Sequence, residues 1–239
     1  MKKSIKYSFF TMLAIILISM TSVGGYYYYI IQKVKSDDPF VWESNIREFE
    51  EKDIKSPPSA GSILFVGSSS IKLWSTLSED MNPLPVINRA FGGAKISDVI
   101  HFAPRIILPY KPNVVVFYAG DNDMSMGKKQ SAKEVLNNYQ RFVHLVHSQL
   151  PKTKVYFISI KPSIDRWEDW QNMNKANQII KKFSNQSEKL GFIDISSSML
   201  NAAGKPREDI LIWDGIHLNE EGYRIWTSIV KPVLEKNYQ

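Results

Sequence analysis

The sequence predicts one α/β domain: about five parallel strands in a single sheet with helices on both faces, a three-layer α/β/α sandwich. Three observations carry this. From Ile63 onward, short apolar runs alternate with longer stretches of helical period. The short runs are rich in β-branched and aromatic residues, as strands buried on both faces are. A length of 239 residues leaves room for one such domain and little else.

The elements follow in order. Asp37–Ile54 is charged, and Trp42, Ile46 and Phe49 fall on one face at helical spacing, which predicts an amphipathic helix packed on the domain. Ser56-Pro57-Pro58-Ser59-Ala60-Gly61 reads as a loop by composition. Strands are predicted at Ile63–Val66, Val86–Asn88, Asn113–Ala119, Lys154–Ile160 and Phe192–Ile195. Helices are predicted at Ser97–Tyr110, Ser131–Leu150, Trp167–Leu190 and Asn219–Glu235. Strands joined this way run parallel, because each connection carries a crossover helix. Internal repeats and low-complexity tracts are absent from the sequence.

Charge and composition exclude several functions. The net charge of +6 is concentrated at the start, where Lys2, Lys3, Lys6, Lys33 and Lys35 stand among residues 1–36 without an acid. The rest nearly cancels, so the one-sided basic face that nucleic acid demands is missing. Cysteine is absent, which removes thiolate nucleophiles, thiolate metal sites, disulfides and a lipid-modified cysteine.

Residues 1–36 are predicted to be a membrane anchor or signal segment. Tyr7 to Gln32 carries no formal charge, is apolar through Phe9–Met20, and turns aromatic at Tyr26–Tyr29. As a helix it would reach about 37 Å, against a hydrocarbon core of about 30 Å. The leading lysines would hold the N-terminus in the cytoplasm, and the tyrosines would sit at the interface. A cleaved signal peptide is the rival reading, with small residues at Val23-Gly24-Gly25. A buried soluble helix is the plain alternative. The first two readings both place residues 37–239 outside the cytoplasm, tethered in one case and secreted in the other.

In open parallel sheets, ligands bind beyond the carboxyl ends of the strands, so the residues just after each strand matter most. Gly67-Ser68-Ser69-Ser70 follows the first strand, with a serine at a strand-to-helix turn; a simple helix cap is the plain alternative. Asn88-Arg89-Ala90-Phe91-Gly92-Gly93 follows the second, and its paired glycines suit either a backbone N–H held close to a ligand or an ordinary tight turn. Gly120-Asp121-Asn122-Asp123 follows the third. An Asn amide there offers an uncharged donor, whereas two carboxylates without a histidine make a thin metal set. Near the C-terminus, Trp213-Asp214-Gly215-Ile216-His217 sets an acid three positions before a histidine, a spacing that lets the acid accept the imidazole Nδ1–H and frees Nε2 as a base. His101, His144 and His147 read as packing or surface residues, and the Gly-x-Ser-x-Gly elbow, the Walker loop and HExxH are absent.

In this order and placement, the four groups resemble the blocks of SGNH (GDSL-like) hydrolases: GDS, a glycine, GxND and DxxH. They match as Gly67-Ser68-Ser69, Asn88 to Gly93, Gly120 to Asp123, and Asp214 to His217, over about residues 40–239. One departure stands out, since the family's usual Asp before the nucleophile is Ser68 here. The resemblance implies a flavodoxin-like sandwich and a serine esterase working through an acyl-enzyme. In it Ser69 is the nucleophile, His217 the base, and Asp214 the residue that orients the base. An oxyanion hole would be built from the Ser69 and Gly93 N–H groups and the Asn122 amide. It calls for no metal and no organic cofactor. The substrate would be a small-molecule, glycan or lipid ester, and the loop Lys161–Trp170 would line its pocket; its Trp167 and Trp170 suit either stacking on a sugar ring or packing against the core. An inactive binding module with the same fold, or a membrane-tethered scaffold, is the alternative.

Overall fold

The computed structural model describes residues 24–25, 28–29 and 32–238, and the chain forms two compact units, Met1–Asp37 and Asp38–Gln239. In the first unit residues 32–35 are helical. The predicted anchor, with its apolar core Phe9–Met20 and its leading lysines, lies almost wholly outside the described residues. Among the described residues, no helix is long and apolar enough to cross a membrane.

The second unit opens with a short 3-10 turn at Pro39–Trp42, where the sequence pattern predicts continuous helix. Pro39 at its start and the Asp38 carboxylate, which accepts the Phe40 N–H at 3.0 Å, set this turn apart. Helix α1 (Glu43–Lys55) then buries Ile46 and leaves Phe49 half-buried.

Five strands follow: β1 (Ile63–Gly67), β2 (Val86–Asn88), β3 (Val114–Tyr118), β4 (Lys154–Ile158) and β5 (Leu190–Ile193). All pair in parallel, in the order β2-β1-β3-β4-β5. This is the flavodoxin-like order, whose switch point falls between β1 and β3. The connections carry α2 (Ser69–Lys72), α3 (Leu77–Asp80), α4 (Ile96–Ile106), α5 (Asp121–Ser125), α6 (Ala132–Gln149) and α7 (Trp170–Ser184), and α8 (Glu220–Asn237) closes the chain.

Strand alternation divides the core between the two faces of the sheet. Phe65, Val116, Tyr118 and Ile158 pack with Trp74, Trp226 and Leu234 in one cluster, on the α8 side. On the other face Phe117 meets Phe142 of α6 with ring centroids 4.3 Å apart, and Tyr139 meets Phe157 at 4.8 Å. Each such ring contributes about 1.5–3 kcal/mol on burial. The two layers hold the carboxyl ends of β1 and β3 in fixed register.

β5 runs two residues earlier than its apolar pattern predicts. Its ladder ends at Ile193 because local side chains take over the next backbone donors. The Ser159 hydroxyl accepts Ile195 N–H at 3.0 Å, and the Asp194 carboxylate accepts Ser196 N–H at 3.0 Å.

Candidate active site

Ser69 owes its position to Gly67. The Gly67 backbone has φ of 133°, and a β-carbon there would lie 1.8 Å from the Tyr118 carbonyl oxygen. Only glycine lets β1 end this close to β3, and the next N–H, that of Ser68, bonds the same carbonyl at 2.9 Å. The chain then turns into α2. Ser68 and Ser70 point inward and are fully buried, whereas Ser69 is partly open to solvent.

The Ser69 hydroxyl meets His217. Its Oγ lies 2.8 Å from His217 Nε2, and His217 Nδ1 lies 2.6 Å from Asp214 Oδ2. The other Asp214 oxygen accepts the N–H groups of Ile216 and His217, both at 2.9 Å. Burial acts to raise the Asp214 pKa. The His217 and Ile216 N–H groups and the His217 ring outweigh it and hold the carboxyl below its ordinary value. The acid stays ionised, so the Nδ1–H is held toward it and Nε2 faces the serine as an acceptor.

The opposite side of Ser69 is buried and charged. Asn122 sits in α5, its Nδ2 donating to the Ala94 carbonyl at 3.1 Å and its Oδ1 accepting from Arg166 Nη2 at 2.9 Å. Arg166 also pairs with Asp121 at 3.1 Å. With its oxygen taken by Arg166, the amide has one orientation, and one of its two N–H groups is committed to Ala94. Gly93, next to Ala94, lies in the turn after Phe91 with φ of 79°, a conformation that aims its backbone away from the normal extended path. Lys161 is buried nearby. Burial pushes its ammonium down to about 8, opposed by the Asp121 carboxylate. Burial would raise the Asp121 pKa in turn, but Arg166 and Lys161 hold it low.

Ser68 now has a physical rationale. Its hydroxyl lies 3.5 Å from Asp121 Oδ1. An aspartate at position 68 would set two buried carboxylates against each other. Asp121 already supplies the acid here, so a neutral hydroxyl fits.

The loop Lys161–Trp170 reaches the site through its charged side chains. Arg166 and Lys161, not the tryptophans, face Asp121 and Asn122, and Ile164 N–H bonds the Gly215 carbonyl at 2.9 Å. Trp167 and Trp170 stack on each other at 6.2 Å, with Lys205 over Trp167. Sequence reasoning passed over Arg166, because one arginine in a polar loop carries no periodicity or motif. His101 packs edge-on to Phe102, and His147 Nε2 meets the Thr153 carbonyl at 3.0 Å. His144 borders an open surface groove between α4 and α6. Among the described residues, no group of three or more acids and histidines is placed to hold a metal.

Comparison with known proteins bears on this geometry. A sequence model of the GDSL-like Lipase/Acylhydrolase family matches residues 66–225. The platelet-activating factor acetylhydrolase IB subunit alpha2 of Gallus gallus is 25% identical over 207 residues, covering 84% of this chain and 85% of its own length. A GDSL-like lipase from Bacteroides thetaiotaomicron superposes with a TM-score of 0.70 at 20% identity, over 80% of this chain and 98% of the other. A carbohydrate esterase family 3 protein from Talaromyces cellulolyticus superposes with a TM-score of 0.60 at 18% identity, over 74% and 97%.

Proposed function

Because the chain belongs to the GDSL-like lipase/acylhydrolase family, whose members hydrolyse ester bonds, we propose that it is a serine esterase with Ser69 as nucleophile. One observation carries the reading: the 2.8 Å contact between Ser69 Oγ and His217 Nε2, continued at 2.6 Å to Asp214. His217 removes the hydroxyl proton as Ser69 attacks the ester carbonyl, and Asp214 stabilises the imidazolium. The Ser69 and Gly93 N–H groups and the free N–H of the Asn122 amide receive the oxyanion. The intermediate collapses to an acyl-serine, and the alcohol leaves with the proton from His217. Water, deprotonated by the same imidazole, then releases the acid.

The substrate is a small acyl or O-acetyl ester of an extracytoplasmic lipid or glycan. The name of one relative, an acetylhydrolase, supports a short acyl group. Lys2, Lys3 and Lys6 ahead of an apolar run support export of residues 37–239, anchored to the membrane through residues 1–36. A fluorophosphonate probe followed by peptide mass spectrometry tests the assignment. The label is expected on Ser69, with loss of p-nitrophenyl acetate hydrolysis in Ser69→Ala. Label on Ser68 or Ser70 instead would overturn it.

A further inference from the structure

Helix α2 starts at Ser69 and is only four residues long. A single turn has too few internal bonds to fix its own direction, so groups outside it decide where it points. Two of its carbonyls are held from elsewhere in the fold. The Ile71 carbonyl accepts an N–H of Asn88 Nδ2 at 2.8 Å, and the Ser70 carbonyl accepts the Tyr223 hydroxyl at 2.9 Å. Among the described residues, neither of these side chains has a hydrogen bond to Ser69, His217 or Asp214.

Asn88 ends β2, and its amide works in two directions. While Nδ2 reaches α2, Oδ1 accepts the Ala90 N–H at 3.0 Å, at the start of the turn that carries Gly93. With both ends occupied, the amide has one orientation. The turn hangs on β1 by other bonds: Arg89 N–H reaches the Phe65 carbonyl at 2.8 Å, and Phe91 N–H reaches the Gly67 carbonyl at 3.1 Å. It stays on the sheet without the Asn88 side chain. The link to α2 does not, because among the described residues the Asn88–Ile71 bond is the only hydrogen bond joining α2 to that turn. Tyr223 reaches α2 from α8. Its ring stacks on Trp74, just past α2, with centroids 5.4 Å apart, and burial raises the phenol pKa, so the hydroxyl keeps its proton and remains a donor.

We propose that Asn88 and Tyr223 are positioning residues for the reaction: together they set the roll of α2, and with it the spacing of the Ser69 and Gly93 N–H groups that receive the oxyanion. This rests on the esterase reading of Ser69. Asn88 carries the larger share, since it alone spans from the nucleophile's helix to the turn that bears the second donor. Tyr223 fixes the same helix at the neighbouring carbonyl. A small rotation of α2 weakens bonds that reach full strength only in the tetrahedral state, so the loss falls on kcat and spares KM.

Asn88→Asp is the sharpest test. It keeps the acceptor for Ala90 and turns a carboxylate oxygen toward the Ile71 carbonyl, so only the arm to α2 is lost. The full chain is assayed on p-nitrophenyl acetate well below its melting midpoint, with circular dichroism on the same samples. The variant should lose about 10- to 100-fold in kcat with KM within about twofold. Inhibition by trifluoroacetone supplies a reading that a purely structural role would not move. Ser69 Oγ adds to the ketone carbon, the hydroxyl proton passes to His217, and the carbonyl oxygen becomes an alkoxide facing the same donors. Its inhibition constant should rise by the same factor as kcat falls. Tyr223→Phe should show the same parallel shift at about fivefold, and it decides by the same criteria if Asn88→Asp does not fold. A lower melting midpoint with kcat unchanged would overturn the proposal. So would a loss confined to KM, or a loss of kcat with the trifluoroacetone constant unmoved. Wild type that neither hydrolyses the ester nor takes a fluorophosphonate on Ser69 would remove the esterase reading and this proposal with it. An active wild type with an indifferent Asn88→Asp removes the proposal alone.

Discussion

The two sides of Ser69 are built in opposite ways. On one side, His217 and Asp214 belong to a single partly exposed loop, and the acid is fixed by N–H groups two and three residues along the chain. On the other, Asn122 is buried and held by Ala94 ahead of α4 and Arg166 after β4, with Asp121 and Lys161 packed around it. Within the first side, the Asp214–His217 pair is a local device, fixed by its own loop. The second is a junction of three loops, and its geometry depends on the whole sheet. The Asp214–His217 pairing needs only short-range order, whereas its alignment with Ser69, far away in sequence, and the setting of the Asn122 amide need long-range order.

Removing the local device should have the largest effect. His217→Ala and Asp214→Asn are expected to lower kcat about 10⁴-fold with the fold intact. Steady-state kinetics with circular dichroism check this, and more than about a tenth of wild-type activity in His217→Ala would exclude it as the base.

The junction should cost less per residue but spread further. Asn122→Ala is expected to lower kcat about 10²–10³-fold with little change in KM. Arg166→Met leaves the amide free to rotate and should cost about tenfold in kcat, while adding almost nothing on top of Asn122→Ala. Full additivity of the pair would show that Arg166 does not act through the Asn122 amide.

This contrast also explains what could be read in advance. Asp214 and His217 of the DxxH loop sit three positions apart, so their pairing is visible along the chain. The β1, β3 and β4 runs were visible because both faces of these strands are buried, which writes a dense apolar code. β5, at the sheet edge, is only half-buried and carries Gly191, whose missing side chain makes room for the Tyr156 ring. Its boundary was therefore blurred. Arg166 was invisible because it acts across 44 positions on Asn122, and nothing near it in sequence marks that contact.

The exchange of charge between Ser68 and Asp121 can be tested by reversing it. Ser68→Asp should destabilise the protein by about 3–5 kcal/mol, the cost of an uncompensated buried charge. Ser68→Asp with Asp121→Asn should recover most of that loss in urea denaturation. No recovery would mean that position 68 rejects aspartate for its size and not its charge.

Asp123 supplies the smallest and most pH-specific effect, at the base of the same junction. Its carboxyl accepts the Ile96 N–H at 3.2 Å, and burial pushes its pKa up to about 7, far above the ordinary 3.8. An acid whose pKa is raised on folding binds more protons in the native state than in the unfolded one. Stability therefore falls as pH rises from about 4 to about 7, and the penalty is flat above that. Asp123→Asn keeps an acceptor for Ile96 and removes the titration. The variant should match wild type near pH 4 and exceed it by about 1–3 kcal/mol at pH 8, read as a rise in urea midpoint. A stability difference independent of pH would show that Asp123 stays ionised in the fold, its charge met by hydrogen bonds alone. The buried side of Ser69 would then hold two full carboxylates, Asp121 and Asp123, where the raised pKa of Asp123 leaves one below about pH 7.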